Sequence, residues 1–306
     1  MKKLLIIIVI AAIGFAIYKT KSSRPEQPPE VSDTQTESKT PEVLRMGLIP
    51  ADDAESQMRN YQPVADYLSE KLGMKVEMSV THDYTAAVEA MRSKHIEMAW
   101  FGPFSYLLAQ KEAGAEALVV GVRRDTGETT YRTVIVTRAG SGINKIEDLK
   151  GKTFAFVDPA STSGNLFPRY VFSKYDISPE KDFKTVIYAG THNGVELAVK
   201  NKTVDAGADS DTSYDQMVKS GQIDPKVNVV IFKSDPIPGS PIVIRGDLPA
   251  DFKAKVKDTL VNMDQQTIFK VNGWGDIAKY VEAKDSDYDI VRETAKVLNL
   301  DLTKMK

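Results

Sequence analysis

The 306-residue sequence contains no cysteine, three histidines and two tryptophans. The absence of cysteine excludes disulfide bridges, thiolate metal sites, a cysteine nucleophile and lipid attachment through cysteine. The three histidines, His82, His95 and His192, leave little material for an imidazole-based metal centre. The formal net charge is −2, so the chain also lacks the basic excess of nucleic-acid-binding proteins. We therefore predict no metal, no cofactor and no nucleic-acid partner.

What the sequence does contain is the composition of an ordinary globular protein. Hydrophobic residues make up 42% of the chain and charged residues 27%, which excludes disordered, collagen-like and polytopic membrane proteins. The length exceeds that of one typical domain, so we expect two compact lobes.

The N-terminus carries a hydrophobic run from Leu4 to Tyr18, preceded by Lys2 and Lys3. This pattern is typical of an export signal, and the run is shorter than the roughly 20 residues of a transmembrane helix. Lysines also follow the run directly, which fits an uncleaved anchor equally well. Residues 19–43 are rich in Pro, Ser, Thr, Glu and Lys and predict a disordered tether. We predict a signal or membrane anchor over 1–18, and a folded part outside the cytoplasm from Leu44 onward.

The first half of the folded part alternates between short apolar runs and segments with helical spacing. Such β-α-β alternation predicts a parallel sheet covered by helices. The expected strands cover 44–49, 76–80, 96–100 and 118–122, and the expected helices cover 61–72, 84–92 and 104–112.

A second alternating series follows, and the C-terminus has mostly helical spacing. The expected strands cover 132–137, 152–157, 185–188, 204–208, 227–232 and 242–245. The expected helices cover 146–149, a segment after Ser163, 195–201, 212–220, 250–262, 275–280 and 288–298. Two extended segments, near 133–138 and 233–241, are expected to connect two lobes.

Several segments resemble the substrate-binding proteins of phosphonate, phosphite and phosphate ABC transporters. They include GLIPADD (47–53), DYTAAVEAMRSKHIEMAWFGP (83–103), DPASTSGNLFPRYVF (158–172), GTHNGVELAVKNKTVDAGA (190–208) and DPIPGSPIVI (235–244). The resemblance implies an α/β, two-lobed clam-shell of the type II periplasmic-binding-protein fold, each lobe a mixed sheet flanked by helices. It also implies a discontinuous first lobe, 44–136 plus 238–306, around a second lobe, 137–237.

The segment Ser161-Thr162-Ser163-Gly164 lies between a strand and a helix. A helix N-terminus offers unpaired N–H groups and a positive dipole end, and three hydroxyls add further donors for an oxyanion. Ser and Thr are also the usual helix N-caps, so the spacing alone favours a plain cap. The resemblance implies that Ser161, Thr162 and Ser163 bind the ligand.

His192 and Asp209 each follow or end a predicted strand, where α/β sheets bind ligands. A lone histidine there fits a surface position or a cap, but the resemblance implies that His192 is an oxyanion ligand. An aspartate can accept a hydrogen bond from a protonated phosphoryl oxygen and thereby exclude sulfate. We predict that Asp209 does this; Asp211 is a further candidate, or a solvated N-cap.

Aromatic residues are implied to form the wall of the site. The resemblance places Tyr84 and Phe101 there, with Tyr131 a further candidate, although core packing explains Phe101 about as well. A tyrosine hydroxyl is expected at the position of Phe101 in some relatives, so this wall would be more apolar here.

The sequence departs from aminophosphonate binders at Thr212 and Ser240, where carboxylates that hold an ammonium group are expected. A buried amine without a partner would cost several kcal/mol. This indicates a small uncharged substituent, as in phosphite or methylphosphonate, with Ser240 near it.

The resemblance therefore implies a receptor that delivers a phosphorus oxyanion to the permease subunits of an ABC importer, and we expect it to be exported and monomeric. No nucleotide-binding loop, carboxylate-rich metal cluster or nucleophile with an evident base is present in the sequence, so we predict no catalytic residues. Two alternatives on the same fold are a sensor ectodomain and an enzyme acting on a phospho compound.

Overall fold

A computed structural model of the chain describes residues 39–271 and 276–300. The predicted signal or anchor, and the predicted tether up to residue 38, lie outside the described residues. Within the described part, no helix has the length and apolar character needed to cross a membrane.

The described strands and helices alternate along most of the chain. The strands are β1 (Val43–Leu48), β2 (Lys75–Val80), β3 (Met98–Trp100), β4 (Glu116–Arg123), β5 (Thr130–Tyr131), β6 (Thr133–Arg138), β7 (Thr153–Phe156), β8 (Thr185–Tyr188), β9 (Ala206–Ser210), β10 (Asn228–Lys233), β11 (Ile237–Pro238), β12 (Pro241–Ile244) and β13 (Ile277–Glu282). The helices are α1 (Ala54–Leu72), α2 (Tyr84–Arg92), α3 (Pro103–Ala113), α4 (Phe167–Lys174), α5 (Pro179–Asp182), α6 (His192–Lys200), α7 (Asp211–Lys219), α8 (Ala250–Val261), α9 (Gln265–Ile268) and α10 (Asp289–Val297). A π-helical turn covers Thr162–Leu166, and 3₁₀ turns cover Ile146–Leu149 and Asp285–Tyr288.

The strands form two mixed sheets and one short ribbon, so the fold is two-lobed α/β. The first sheet has the order β13-β4-β12-β3-β1-β2, and the second has the order β10-β6-β9-β7-β8. In the first sheet, β1 pairs in parallel with β2 and β3, whereas β12 pairs antiparallel with β3 and β4, and β13 pairs antiparallel with β4. In the second sheet, β7 pairs in parallel with β8 and β9, whereas β6 pairs antiparallel with β9 and β10. The ribbon pairs β5 with β11, the two segments that connect the sheets.

Local chemistry explains where the helices begin. The Asp53 side chain accepts the Ser56 N–H and caps α1, and Gly73 ends that helix in the left-handed conformation at φ 68°. The helix begins at Ala54, well before the predicted start at residue 61. Pro63 lies inside it, and a proline is a poor signal for a helix interior.

The predicted helix over 275–280 is wrong, because residues 277–282 form strand β13. This strand pairs antiparallel with β4, and its register shifts between Ile277 and Lys279. The bulge breaks the alternation of a regular strand, so Ile277 and Tyr280 are both buried at a spacing that imitates a helix.

The predicted crossing at 133–138 is also wrong, because these residues are strand β6 of the second sheet. All of β6 pairs within that sheet, with β9 and β10. The predicted lobe boundary after residue 136 therefore falls inside a strand, and the first connection between the sheets lies before Thr133. Its β5 residues Thr130–Tyr131 pair with the second connection at Ile237–Pro238.

Candidate ligand-binding site

The turn that follows β7 is stabilised by a hydrogen bond to a serine hydroxyl within the turn. Ser161 Oγ accepts the Gly164 N–H at 3.1 Å, and the chain winds through the π-helical turn into α4. A Cβ on Gly164 would lie 2.3 Å from Val157 Cγ2, so only glycine allows the turn to pack this closely on the end of the strand. Ser161 is thus an N-cap, and the sequence-predicted hydroxyl cluster sits at a helix start.

The lobe of the first sheet meets the second lobe at this turn. The Phe104 N–H, in the first turn of α3, donates to Thr162 Oγ1 at 2.8 Å. The Tyr84 N–H, at the start of α2, points at Asp158 Oδ2 at 3.5 Å. The N-termini of α2 and α3 therefore reach across to the turn that precedes α4, so that three helix starts lie close together.

A third contact between the lobes brings the start of α6 to the same region. The His192 N–H donates to the Ala51 carbonyl at 2.9 Å, which connects α6 to the loop after β1. The other two histidines, His82 and His95, are exposed on the surface, where neither contributes to this region.

The Ser163 side chain lies among these groups. Its Oγ atom is buried and has no hydrogen-bond partner of good geometry among the described residues, and its carbonyl accepts from Thr133 Oγ1 at 3.2 Å. The Tyr131 hydroxyl lies near Ser163 and Thr162, and the Tyr84 hydroxyl lies near Ser161. Burial raises the pKa of both tyrosines, so both hydroxyls stay protonated and can donate.

His192 and Asp209 form a buried pair. His192 Nδ1 lies 2.5 Å from Asp209 Oδ1, and neither side chain is accessible to solvent. Burial lowers the pKa of His192 to about 4, although the nearby charges of Asp52 and Glu196 oppose this. Burial raises the pKa of Asp209 to about 8. The Asp209 carboxyl therefore fixes the orientation of the imidazole.

Asp211 is not a solvated N-cap, which was one of the two alternatives. Its carboxylate is buried, pairs with Arg123 Nη1 and Lys233 Nζ at 3.2 Å each, and accepts the Arg132 N–H at 2.9 Å. Ser210 is the N-cap of α7 instead. Because Arg123 belongs to β4 of the first sheet, this ion pair connects the two lobes.

A cavity borders the hydroxyl cluster at Tyr131. Thr212 and Ser240 line it, together with an apolar wall and Arg123. The aromatic residues in the wall are Tyr61, Trp100 and Tyr280. Phe101, by contrast, is fully buried in the hydrophobic core, where its N–H donates to the Pro241 carbonyl.

Sequence reasoning missed Asp52, Arg123 and Glu196 as residues of this region. Asp52 is buried near His192, and desolvation raises its pKa to about 6. Arg123 acquires its partner Asp211 from 88 positions along the chain, which no local pattern indicates. For Glu196 the sequence offered one signal of a special role. It is an acidic residue on the helix face that also carries the buried residues Val195 and Val199.

The site can be compared with known proteins. A family model described as the periplasmic substrate-binding protein of phosphonate ABC transporters matches residues 46–288. The chain belongs to this family. The phosphonates-binding periplasmic protein of Escherichia coli is 33% identical to this binding protein, over 76% of the chain and 70% of the relative. The phosphate-import protein PhnD of Mycolicibacterium smegmatis is 29% identical over 95% of both proteins.

The structural comparison supports the fold of this binding protein. PhnD1 of Prochlorococcus marinus, solved in complex with methylphosphonate, superposes with a TM-score of 0.78 at 22% identity. The match covers 86% of this binding protein and 100% of PhnD1. The expected two-lobed periplasmic-binding fold and the role of a substrate-binding component of an ABC transporter are thus confirmed.

Proposed function

We propose that this binding protein captures phosphite, methylphosphonate or a similarly small phosphonate between its lobes and delivers it to an ABC permease. The observation that carries the proposal is the group of donors where the lobes meet. The hydroxyls of Thr162, Ser163 and Tyr131 lie together there, beside the helix starts at Tyr84 and Phe104. Such groups suit a tetrahedral oxyanion, and the buried Ser163 Oγ gains a partner when one binds.

The cavity beside Tyr131 supports a small uncharged substituent on phosphorus. Thr212 and Ser240 line it without a carboxylate, and among the described residues its charged lining is the cation Arg123. Arg123 is already paired with Asp125 and Asp211, and the described residues of the lining include no carboxylate that could serve as counter-ion for a buried ammonium group. Trp100 and Tyr280 offer apolar surface for a P–H or P–CH₃ group, against which the extra oxygen of phosphate would lose hydration.

Calorimetric titration with phosphite, methylphosphonate, phosphate and 2-aminoethylphosphonate tests the proposal. Phosphite or methylphosphonate should bind at least about tenfold more tightly than the aminophosphonate, a difference of about 1.4 kcal/mol. Recovery of every ligand unchanged after long incubation would support a receptor over an enzyme. Tight binding of the aminophosphonate by the native protein would overturn the proposed selectivity.

A substitution in the cavity gives a second test. Ser240→Asp places a carboxylate where an ammonium could lie, so the preference should move toward 2-aminoethylphosphonate. The matched control is Ser173→Asp, since Ser173 is exposed on α4 and outside the cavity. An equal effect of both variants would show that only net charge matters.

We also propose that the protein acts as an exported monomer held at the membrane by its N-terminal segment. The family's periplasmic location and the hydrophobic run from Leu4 to Tyr18 support this. Fractionation of cells with N-terminal sequencing of the mature protein tests the anchor, and sedimentation tests the monomer. A soluble, shortened protein would show that the segment is a cleaved signal.

A further inference from the structure

A second buried acid lies behind the pair formed by His192 and Asp209. Glu196 stands one turn along α6 from His192, on the same buried face, and is fully inaccessible to solvent. Asn228, at the start of β10, donates its side-chain N–H to Glu196 Oε2 at 2.6 Å. Glu196 and Asp209 lie within hydrogen-bonding reach of each other.

The remaining oxygens of these two carboxyls have no donor. Glu196 Oε1 and Asp209 Oδ2 are both buried, and no N–H or O–H of the described residues reaches either of them. Two ionised carboxylates facing each other in a buried site would repel, and each would leave an oxygen unsatisfied. One proton between them removes the repulsion and satisfies both oxygens, because a protonated carboxyl becomes a donor.

We propose that Glu196 and Asp209 share one proton beneath His192, and that Glu196 is thereby a positioning residue through which phosphonate binding becomes coupled to proton uptake. The inference rests on the proposed function, because it concerns the protonation of the same site's ligand. It adds a residue and a proton to that site.

The hydrogen bonds around Asp209 determine what His192 offers the ligand. Asp209 Oδ1 already accepts the Ser210 N–H at 2.6 Å and lies 2.5 Å from His192 Nδ1. If the shared proton lies on the Oδ2 side, the neutral imidazole donates its Nδ1–H to Oδ1. Nε2 is then an acceptor, which suits a phosphonate that still carries a P–OH proton.

A fully deprotonated phosphonate must therefore gain a proton on binding. The proton comes from the solvent and lies between the phosphoryl oxygen and Nε2, so one proton leaves the buffer for each dianion bound. The other charged groups around His192 favour this, since Asp52 and Glu196 both attract a proton to the ring. The charge of Asp211 also acts on Asp209, but Asp211 is paired with Arg123 and Lys233.

The experiment is calorimetric titration of the full chain with methylphosphonate in buffers of different ionisation enthalpy. At a pH above the second ionisation of the ligand but low enough for the pair to keep its shared proton, the native protein should take up close to one proton per ligand. Well below it, uptake should approach zero, because the ligand brings the proton. Binding without uptake at high pH would overturn the inference but leave the proposed function intact, whereas no binding at either pH would overturn the proposed function.

Two variants separate Glu196 from a merely structural residue. When the pH rises far enough for the native pair to lose its shared proton, a second negative charge appears below the anion, which Glu196→Gln cannot acquire. The variant's affinity relative to the native protein should therefore rise about tenfold between pH ~6.5 and ~9. Asp209→Asn keeps an oxygen that accepts the Nδ1–H but cannot share a proton with Glu196, so its proton uptake should persist, and its affinity relative to the native protein should rise with pH as that of Glu196→Gln does.

The matched control is Glu293→Gln, an exposed acid on α10, whose affinity ratio to the native protein should be the same at both pH values. An equally constant ratio for Glu196→Gln would show that Glu196 holds no shared proton. A constant ratio for Asp209→Asn would likewise assign the titrating proton to another group.

Discussion

At the scale of single residues, the three hydroxyls in the turn before α4 differ in the hydrogen bonds that they already make. Ser161 Oγ caps the turn and Thr162 Oγ1 accepts from Phe104, whereas Ser163 Oγ is buried without such a partner. Ser163→Ala should therefore reduce phosphonate affinity about ten- to hundredfold, since a hydrogen bond to a charged oxygen contributes roughly 1.5–3 kcal/mol. Titration calorimetry with methylphosphonate measures this. Ser173→Ala, an exposed serine on α4, is the control, and equal affinity of both variants would argue against Ser163 as a ligand.

A second residue-scale prediction concerns stability and pH. The pKa of Asp209 is raised from 3.8 to about 8, so its contribution to stability is complete at low pH and is lost as the pH rises toward 8. His192 acts in the opposite direction, since its pKa falls from 6.5 to about 4, but its opposing slope is halved at pH 6.5 and has nearly vanished by about pH 7.5. Between pH 6.5 and 8 the unliganded protein should lose up to about 1.4 kcal/mol of stability per pH unit.

Urea unfolding at several pH values checks this slope. Asp209→Asn removes the titrating carboxyl, so the slope of its stability between pH 6.5 and 8 should be clearly smaller, whatever its absolute stability. If the variant kept the native slope, the pH dependence would have to come from another group.

At the scale of elements, periodicity and turn chemistry predicted most strands and helices within a few residues. Tyr84–Arg92 and Thr185–Tyr188 have the predicted bounds, because Asp83 caps the first and a β-branched run marks the second. The strand β13 was misassigned because a bulge changes its burial pattern, and only pairing with β4 determines its form. The two-residue ribbon of β5 and β11 likewise depends on a contact between distant segments.

In the binding site, too, the sequence predicted residues with a local signal and missed those whose role depends on contacts between distant segments. Hydroxyls at a strand-to-helix turn carry a local signal, so Ser161 to Ser163 could be proposed from the sequence. Glu196 and Arg123 could not, since their roles depend on Asp209 and Asp211, which the fold brings to them from other elements.

The turn itself yields a prediction at this scale. Gly164→Ala would place a methyl group against Val157, whose Cβ lies 2.4 Å from the added atom. Because the Val157 N–H also donates to the Gly164 carbonyl at 3.0 Å, the turn cannot move away freely. We expect a loss of about 1–3 kcal/mol in stability and weaker phosphonate binding. Thermal unfolding together with titration measures both, and a variant with native stability and affinity would show that the turn yields easily.

At the scale of the whole molecule, the two lobes are joined by bonds that close over the site. Thr162 accepts from Phe104, His192 donates to Ala51, and Arg123 pairs with Asp211 across the same boundary. A ligand bound by hydroxyls of one lobe and helix termini of the other favours this closed arrangement over any open one. Small-angle scattering should therefore show a smaller radius of gyration with saturating methylphosphonate than without it.

The ion pair between Arg123 and Asp211 offers a way to change this equilibrium without touching the hydroxyl cluster. Arg123→Gln leaves Asp211 paired with Lys233 but removes the charge that connects the lobes. The unliganded variant should be more open, with a larger radius of gyration, because closure then costs more free energy. Since Arg123 also lines the cavity, the radius of the unliganded variant, and not its affinity, is the measure of closure. Lys279→Gln is the control, since Lys279 lies on β13 of the same sheet as an exposed cation. If native protein and Arg123→Gln had the same radius with and without ligand, binding would not proceed through closure of the lobes.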